Sequence, residues 1–182
     1  KLVQDYLFRV ICREAGRLGL GVQIHALEGF GSFYSAAGSA PRQLESALND
    51  PSLRTTNFVI VHGGWPLVDE TQALLAKPNV YTDISAMVLT VETPRLAQVL
   101  RQWLTEWPEK VLFGTDSFDG GAEQGWAEVA WVGAATGRAA LAAALSDMLR
   151  AGEIDRVRAE SLARMVLREN AIEAYHLESR SP

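Results

Sequence analysis

Asn57-Phe58-Val59-Ile60-Val61-His62-Gly63-Gly64-Trp65-Pro66 is the stretch on which the reading of this chain turns. Phe58 to Val61 are apolar without alternation, as in a strand buried on both faces of a parallel sheet. The run stops at His62, and Gly63-Gly64 allow a turn that bulkier residues resist. A polar ring able to bind a metal therefore ends a buried strand, which is where α/β folds place their chemistry.

The same design recurs along the chain. Val22-Gln23-Ile24-His25 is a short strand ending in His, and Val80-Tyr81-Thr82-Asp83 one ending in Asp. Val111-Leu112-Phe113-Gly114-Thr115-Asp116 is another. Between them, helical spacing predicts helices over 2–18, from Ser39 and Pro41 to about Asn49, over 68–77, and from Thr93 to Trp107. After a Gly-rich loop at 119–125 the rest reads as helical, over 127–135, 138–151 and 155–175.

Strands alternating with helices give a parallel sheet. The expected fold class is α/β, a partial (β/α)8 TIM barrel with a helical carboxyl-terminal extension. Four βα units are half of a barrel that usually needs about 250 residues. A free-standing doubly wound sheet is the alternative, with unpaired edges to manage. No internal boundary shows, so 1–182 reads as a single domain. A half-barrel would bare its inner face, with Ile24, Val59, Val61 and Phe113 the candidates to lose burial.

Composition narrows the function classes. With 182 residues, 48% of them hydrophobic, the chain is long enough to bury a core. A net charge of −5 with no Lys/Arg run argues against a nucleic-acid partner. The single cysteine, Cys12, allows no internal disulfide, which suits a cytoplasmic protein. No apolar run is expected to span a membrane, and no signal peptide is visible. The chain opens on Lys1 and not on Met, so a fragment or a processed product is the expectation. Gly29-Phe30-Gly31-Ser32-Phe33-Tyr34 imitates a dinucleotide fingerprint, but Tyr34 stands where its third Gly belongs, and that reading is rejected.

Taken singly, His25 or His62 is more often a structural histidine, and Asp116 serves equally well as a helix cap. Their joint placement changes the balance, because the strand ends of one barrel face converge. Together they read as a metal site. Asp83 ends its strand in the same way, yet Asp also commonly opens loops. Phe30, Phe33, Tyr34, Trp65, Met87, Phe118 and Trp126 all fall in loops after strands, which points to a small apolar or aromatic substrate. Trp65, Asp83 and Phe30 are the named substrate candidates. Trp103, Trp107 and Trp131 lie in helices and are expected in the core.

Gln23-Ile24-His25, Val61-His62-Gly63-Gly64, Phe113-Gly114-Thr115-Asp116-Ser117 and Arg168-Glu169-Asn170-Ala171 carry a family resemblance. The chain resembles the carboxyl-terminal half of an amidohydrolase-superfamily barrel, strands five to eight, in the group of metal-dependent hydrolases and decarboxylases. That resemblance implies His25, His62 and Asp116 as metal ligands, with Asp116 and His62 catalytic. The first barrel strand of the family would add a His-x-His pair, and this chain has none; His176 is its one other histidine. The partner implied is the missing amino-terminal half or a second copy of the chain.

The implied cofactor is a divalent metal, Zn first, which accepts imidazole nitrogen and carboxylate oxygen and brings bound water near neutral pKa. Asp116 would take that water's proton and pass it to the leaving group. The expected function is hydrolysis of a C–N or C–O bond in a small substrate. A decarboxylase of the same superfamily and a non-catalytic half-barrel module are the alternatives. This chain alone is expected to be incomplete and inactive.

Overall fold

The computed structural model describes residues 2–26, 32, 34–119 and 125–177. By internal packing the chain divides into two compact units, residues 1–82 with 171–182, and residues 83–170. In the first unit the strands pair in chain order.

The first unit opens with helix α1, Leu2–Arg17. Strand β1, Val22–His25, precedes a 3₁₀ turn at Pro41–Leu44 and helix α2, Glu45–Leu48. Strand β2 is Phe58–Val61, helix α3 Val68–Leu75 and strand β3 Val80–Asp83. Pairing is parallel throughout this unit: Val22 stands opposite Phe58 and His25 opposite Val61, while Phe58 stands opposite Val80. The unbroken apolar run of β2 is explained by that position between two strands. Phe58, Val59 and Ile60 are wholly buried. Val59, expected to lose burial, does not, whereas Ile24 and Val61 are half-buried.

Polar side chains inside this unit are tied to main chain. Asn79 donates to the carbonyls of Leu53 and Thr56, and the Thr56 hydroxyl donates to the carbonyl of Cys12 at 2.8 Å. Thr82 donates to Ile60 O from β3 to β2. Burial pushes the Cys12 thiol up, with Arg9 opposing, so the thiol stays protonated and unreactive at neutral pH. Arg9 pairs with Asp50, which fastens α1 to the segment before β2.

The second unit starts with a short helix the sequence reading missed, α4, Met87–Thr90. Helix α5 is Thr93–Glu106 and strand β4 is Val111–Leu112, shorter than the expected run to Thr115. Two separate helices were expected next; instead α6 runs unbroken from Trp126 to Arg150. The reading broke it between 135 and 138, at Thr136-Gly137. Here Gly137 is needed for close packing: a β-carbon on it would lie 2.8 Å from the Phe113 ring. Helix α7, Arg156–Arg164, is capped by the Asp155 carboxylate, which accepts from Arg158 N–H at 2.7 Å. A π-helical stretch, Met165–Glu169, joins it to α8, Asn170–Ala174.

Trp103 is fully buried as expected and Trp107 half-buried, but Trp131 is 73% exposed. Its place in a helix says nothing about which face it occupies; the buried row of α6 runs instead through Gly133, Gly137, Ala140, Leu141, Ala144, Leu145 and Met148. Against the expectation of no spanning run, α6 is long and apolar enough, by length and composition alone, to cross a membrane. Within its unit it packs on α5 and α4, as a core helix does.

Two stability predictions follow from these contacts. Gly137→Ala should lose about 1–3 kcal/mol through overpacking against Phe113, read from urea denaturation. Separately, the Ser52 N–H holds the Asp50 carboxyl below its ordinary value of 3.8, with Arg9 adding to the effect. A folded pKa below the unfolded one gives stability that is complete above 3.8 and lost as pH falls through the lower value. An Asp50→Asn chain should therefore melt lower than the parent at pH 7, the gap closing toward pH 2.

Candidate functional site

Register builds the first part of the site. His25, the last residue of β1, stands opposite Val61, so His62 follows one step beyond on the neighbouring strand. Two imidazoles are thereby delivered to the same end of adjacent parallel strands. Their ring centroids are 4.8 Å apart and their planes meet at 75°, edge to face. His25 is exposed, while His62 is only 6% exposed. The pair offers nitrogen donors side by side, one open to solvent and one enclosed.

What aims His62 is an unusual turn. His62, Gly63 and Gly64 have φ of 66°, 63° and 67°, three successive left-handed residues. Glycine adopts this region freely, but for His62 it costs on the order of 1–3 kcal/mol. The turn is closed by Trp65 N–H donating to His62 O at 3.1 Å, and Leu67 N–H donating to Gly64 O at 2.8 Å. The Trp65–Pro66 peptide is cis. Gly64 is also held against its neighbours: a β-carbon there would lie 2.3 Å from Thr71 Oγ1 and 2.5 Å from Pro41 Cγ.

The second unit holds the two candidate carboxylates. Asp83 is buried, and its Oδ1 accepts from both Ser85 N–H at 3.0 Å and Ser85 Oγ at 2.5 Å. That is the bond pattern of a side chain fixing the loop that follows its strand. Asp116 is exposed and left-handed, with φ of 56°. It lies between Thr115 and Ser117, whose hydroxyls are 2.7 Å apart. Just before it, the Phe113 ring packs on α6 with the Arg138 guanidinium 5.7 Å from its centroid.

The structure thus brings His25 and His62 together in one unit and places Asp116 and Asp83 in the other. Among the described residues, no three His, Cys, Asp or Glu side chains are grouped as metal ligands. Trp65 stands directly after the His62 turn, half-buried. Phe30 lies outside the described residues, as does Phe33. The sequence reading overlooked Ser85, whose hydroxyl and amide both occupy Asp83, and Ser39, which meets the Tyr34 hydroxyl at 3.2 Å. The Asp-x-Ser spacing of a side-chain turn was the available signal for the first.

Paired imidazoles at the ends of neighbouring parallel strands narrow the choice of family, and comparison with known proteins decides it. A family model described as amidohydrolase matches residues 3–177. The chain belongs to the amidohydrolase family. No curated protein matches this amidohydrolase chain. The crystal structure of a presumed metal-dependent hydrolase from Lactobacillus casei ATCC 334 superposes with a TM-score of 0.76 at 19% identity. The alignment covers 96% of this chain but 44% of that one, so the chain spans less than half of that protein. At such identity the likeness concerns the fold, and it makes the α/β architecture a partial barrel, as expected.

The turn that holds this amidohydrolase's His62 can be tested alone. Gly64→Ala combines a left-handed alanine with overlap onto Thr71 and Pro41, and should cost about 3 kcal/mol. Gly19→Ala, equally left-handed but with open space around it, should cost clearly less in the same denaturation series.

Proposed function

We propose that this chain supplies part of the site of a metal-dependent hydrolase acting on a C–N or C–O bond of a small substrate. The observation that carries the reading is the His25–His62 pair, 4.8 Å apart on adjacent parallel strand ends, in a chain of the amidohydrolase family. Two neighbouring imidazoles suit a divalent ion with nitrogen preference, Zn²⁺ first, and the donor set fits that far. His25 and His62 would hold the ion, with Asp116 as a third ligand. Such an ion supplies a water of near-neutral pKa.

The remaining work falls to the chain's own groups. Asp116 takes a proton from the attacking water and returns it to the leaving group. His62, enclosed and fixed by its turn, serves as the ligand of constant orientation. Trp65 contacts substrate beside it. Asp83 has one oxygen occupied by Ser85, and its part is to set the loop at that rim.

Fewer than three gathered ligands in the described residues, together with the 44% coverage, support a site completed from outside this chain. The surface supports it too. On α1, Val3, Leu7 and Ile11 recur every fourth residue and are 71%, 50% and 65% exposed, and β1 is the first strand of the sheet. A helix face of that kind is normally covered. The partner we infer is a further βα segment completing the barrel.

The test is a Co²⁺ titration followed by absorbance, with an activity assay against amide and ester panels. The chain alone should bind weakly, lose binding on His25→Ala or His62→Ala, and show little turnover. Co-expression with an amino-terminal half carrying His-x-His should restore turnover, and Asp116→Asn should remove it again by at least 100-fold. Full activity from the chain alone, or Co²⁺ binding indifferent to both histidines, overturns the proposal. Decarboxylation of aromatic acids in place of hydrolysis would move the reaction class and keep the site.

A further inference from the structure

Directly after the His62 turn the first unit carries a half-open cleft of about 110 Å³. Gly64 and Trp65 form one side, Pro66 and Leu67 continue it, and Tyr34 and Ser39 close it from the segment after β1. Its size is decisive. Ligand sites for whole drug-sized molecules run from about 300 Å³ upward, whereas an apolar cavity near 150 Å³ holds a single benzene ring. At about 110 Å³ the cleft is on the scale of a single ring and not of a whole drug-sized molecule.

Its chemistry narrows the ring further. Among the described residues no charged side chain lines it, so these walls offer a carboxylate or ammonium no partner of opposite charge. Trp65 and Tyr34 give it aromatic walls, which favour an aryl over an alkyl group. One polar point exists. Ser39 Oγ lies 3.2 Å from Tyr34 Oη, 3.2 Å from Ser35 O and 3.4 Å from Ala36 O. With a single proton it satisfies one of these acceptors at a time, so the two hydroxyls retain capacity for one ligand oxygen.

The walls are also preformed. Gly64 is backed by Thr71 Oγ1 and Pro41 at distances that exclude even a methyl group, so that wall is close-packed from behind. Only Gly63 separates Gly64 from His62, which sets the cavity beside the proposed site without being part of its ligand set. We infer that this cavity is the subsite for a neutral, single-ring aryl group bearing one oxygen substituent, the part of the substrate that the hydrolase site does not cut. This assignment rests on the proposed function for the word substrate, but its binding does not.

Phenol is the probe, titrated into the metal-free chain while the tryptophan indole N–H resonances are followed by NMR, the Trp65 signal being identified by its loss in Trp65→Phe. Phenol should saturate and shift the Trp65 resonance, and benzoate should bind at least tenfold more weakly. Tyr34→Phe should weaken phenol several-fold and leave toluene unchanged. Ala36→Trp, which fills the cavity from its exposed lip, should abolish the shift while the other indole signals persist; Leu67→Trp provides a second filling variant if the first fails to fold. Equal binding of benzoate and phenol, no Trp65 shift, or a shift surviving both filling variants overturns the subsite. Phenol binding with no Co²⁺ binding by His25 and His62 would sink the hydrolase reading and leave the ring pocket in place, whereas metal binding without phenol binding does the reverse.

Discussion

Everything proposed for this chain depends on how β2 ends. A strand buried between two others cannot turn outward gradually, because its main-chain groups need partners up to the last residue. Here the exit is made at once, by three left-handed residues, of which the first and third have their carbonyls taken up by the Trp65 and Leu67 amides. Two of the three are glycines, and the third is His62. The strain is therefore concentrated on the one residue whose ring matters. Left-handed backbone at a non-glycine is maintained only when the surroundings over-determine it. Thr71 and Pro41, pressed on Gly64, supply that constraint from α3 and from the turn before α2.

The second unit uses the same economy with other parts. Its strand β4 is only two residues long, and it is held at its start by Asn170, whose amide donates to both Pro108 O and Val111 O at 2.8 Å. Asn170 is 4% exposed and follows directly on the π-helical stretch. Widening the helix by one residue there changes which side chain points at the strand, a known use of π-bulges. Beyond β4 the chain is guided by packing instead of pairing, with Phe113 laid against Gly137 of α6 and Arg138 over its ring. The loop carrying Asp116 is thus supported on rigid elements although it is not itself in the sheet.

The strands were legible because their signal is local: short stretches rich in Val, Ile, Tyr and Phe closed by His or Asp, and β1, β2 and β3 lie where those stretches fall. Pairing of His25 with His62 was legible for the same reason, since both end strands that neighbour each other in chain order. What was not legible depends on partners distant in sequence. Gly137 looks like a break until Phe113 is known to need its space, and Trp131 looks like core until the buried row of α6 is known to run elsewhere. The loop carboxylates divide in the same way. Nothing in Asp83 alone says that Ser85 has claimed one of its oxygens, although the spacing hinted at it.

The contrast between the two histidines bears on how such a site would work. An enclosed ring on a strained turn keeps its orientation, which is what a fixed ligand needs. An exposed ring on β1, whose side chains alternate between half-buried and exposed, is free to adjust as an ion arrives. A metal held by these two alone would sit between a fixed donor and a movable one. Rigid geometry then requires further ligands from elsewhere, because positional errors of about 1 Å already cost much of a catalyst's advantage. The exposed apolar residues of α1 and the edge strand β1 lie in the same unit as the movable histidine. Under the proposal made above, a segment covering that helix face would restrain β1 and His25 with it, so that completing the fold and completing the site would be one event.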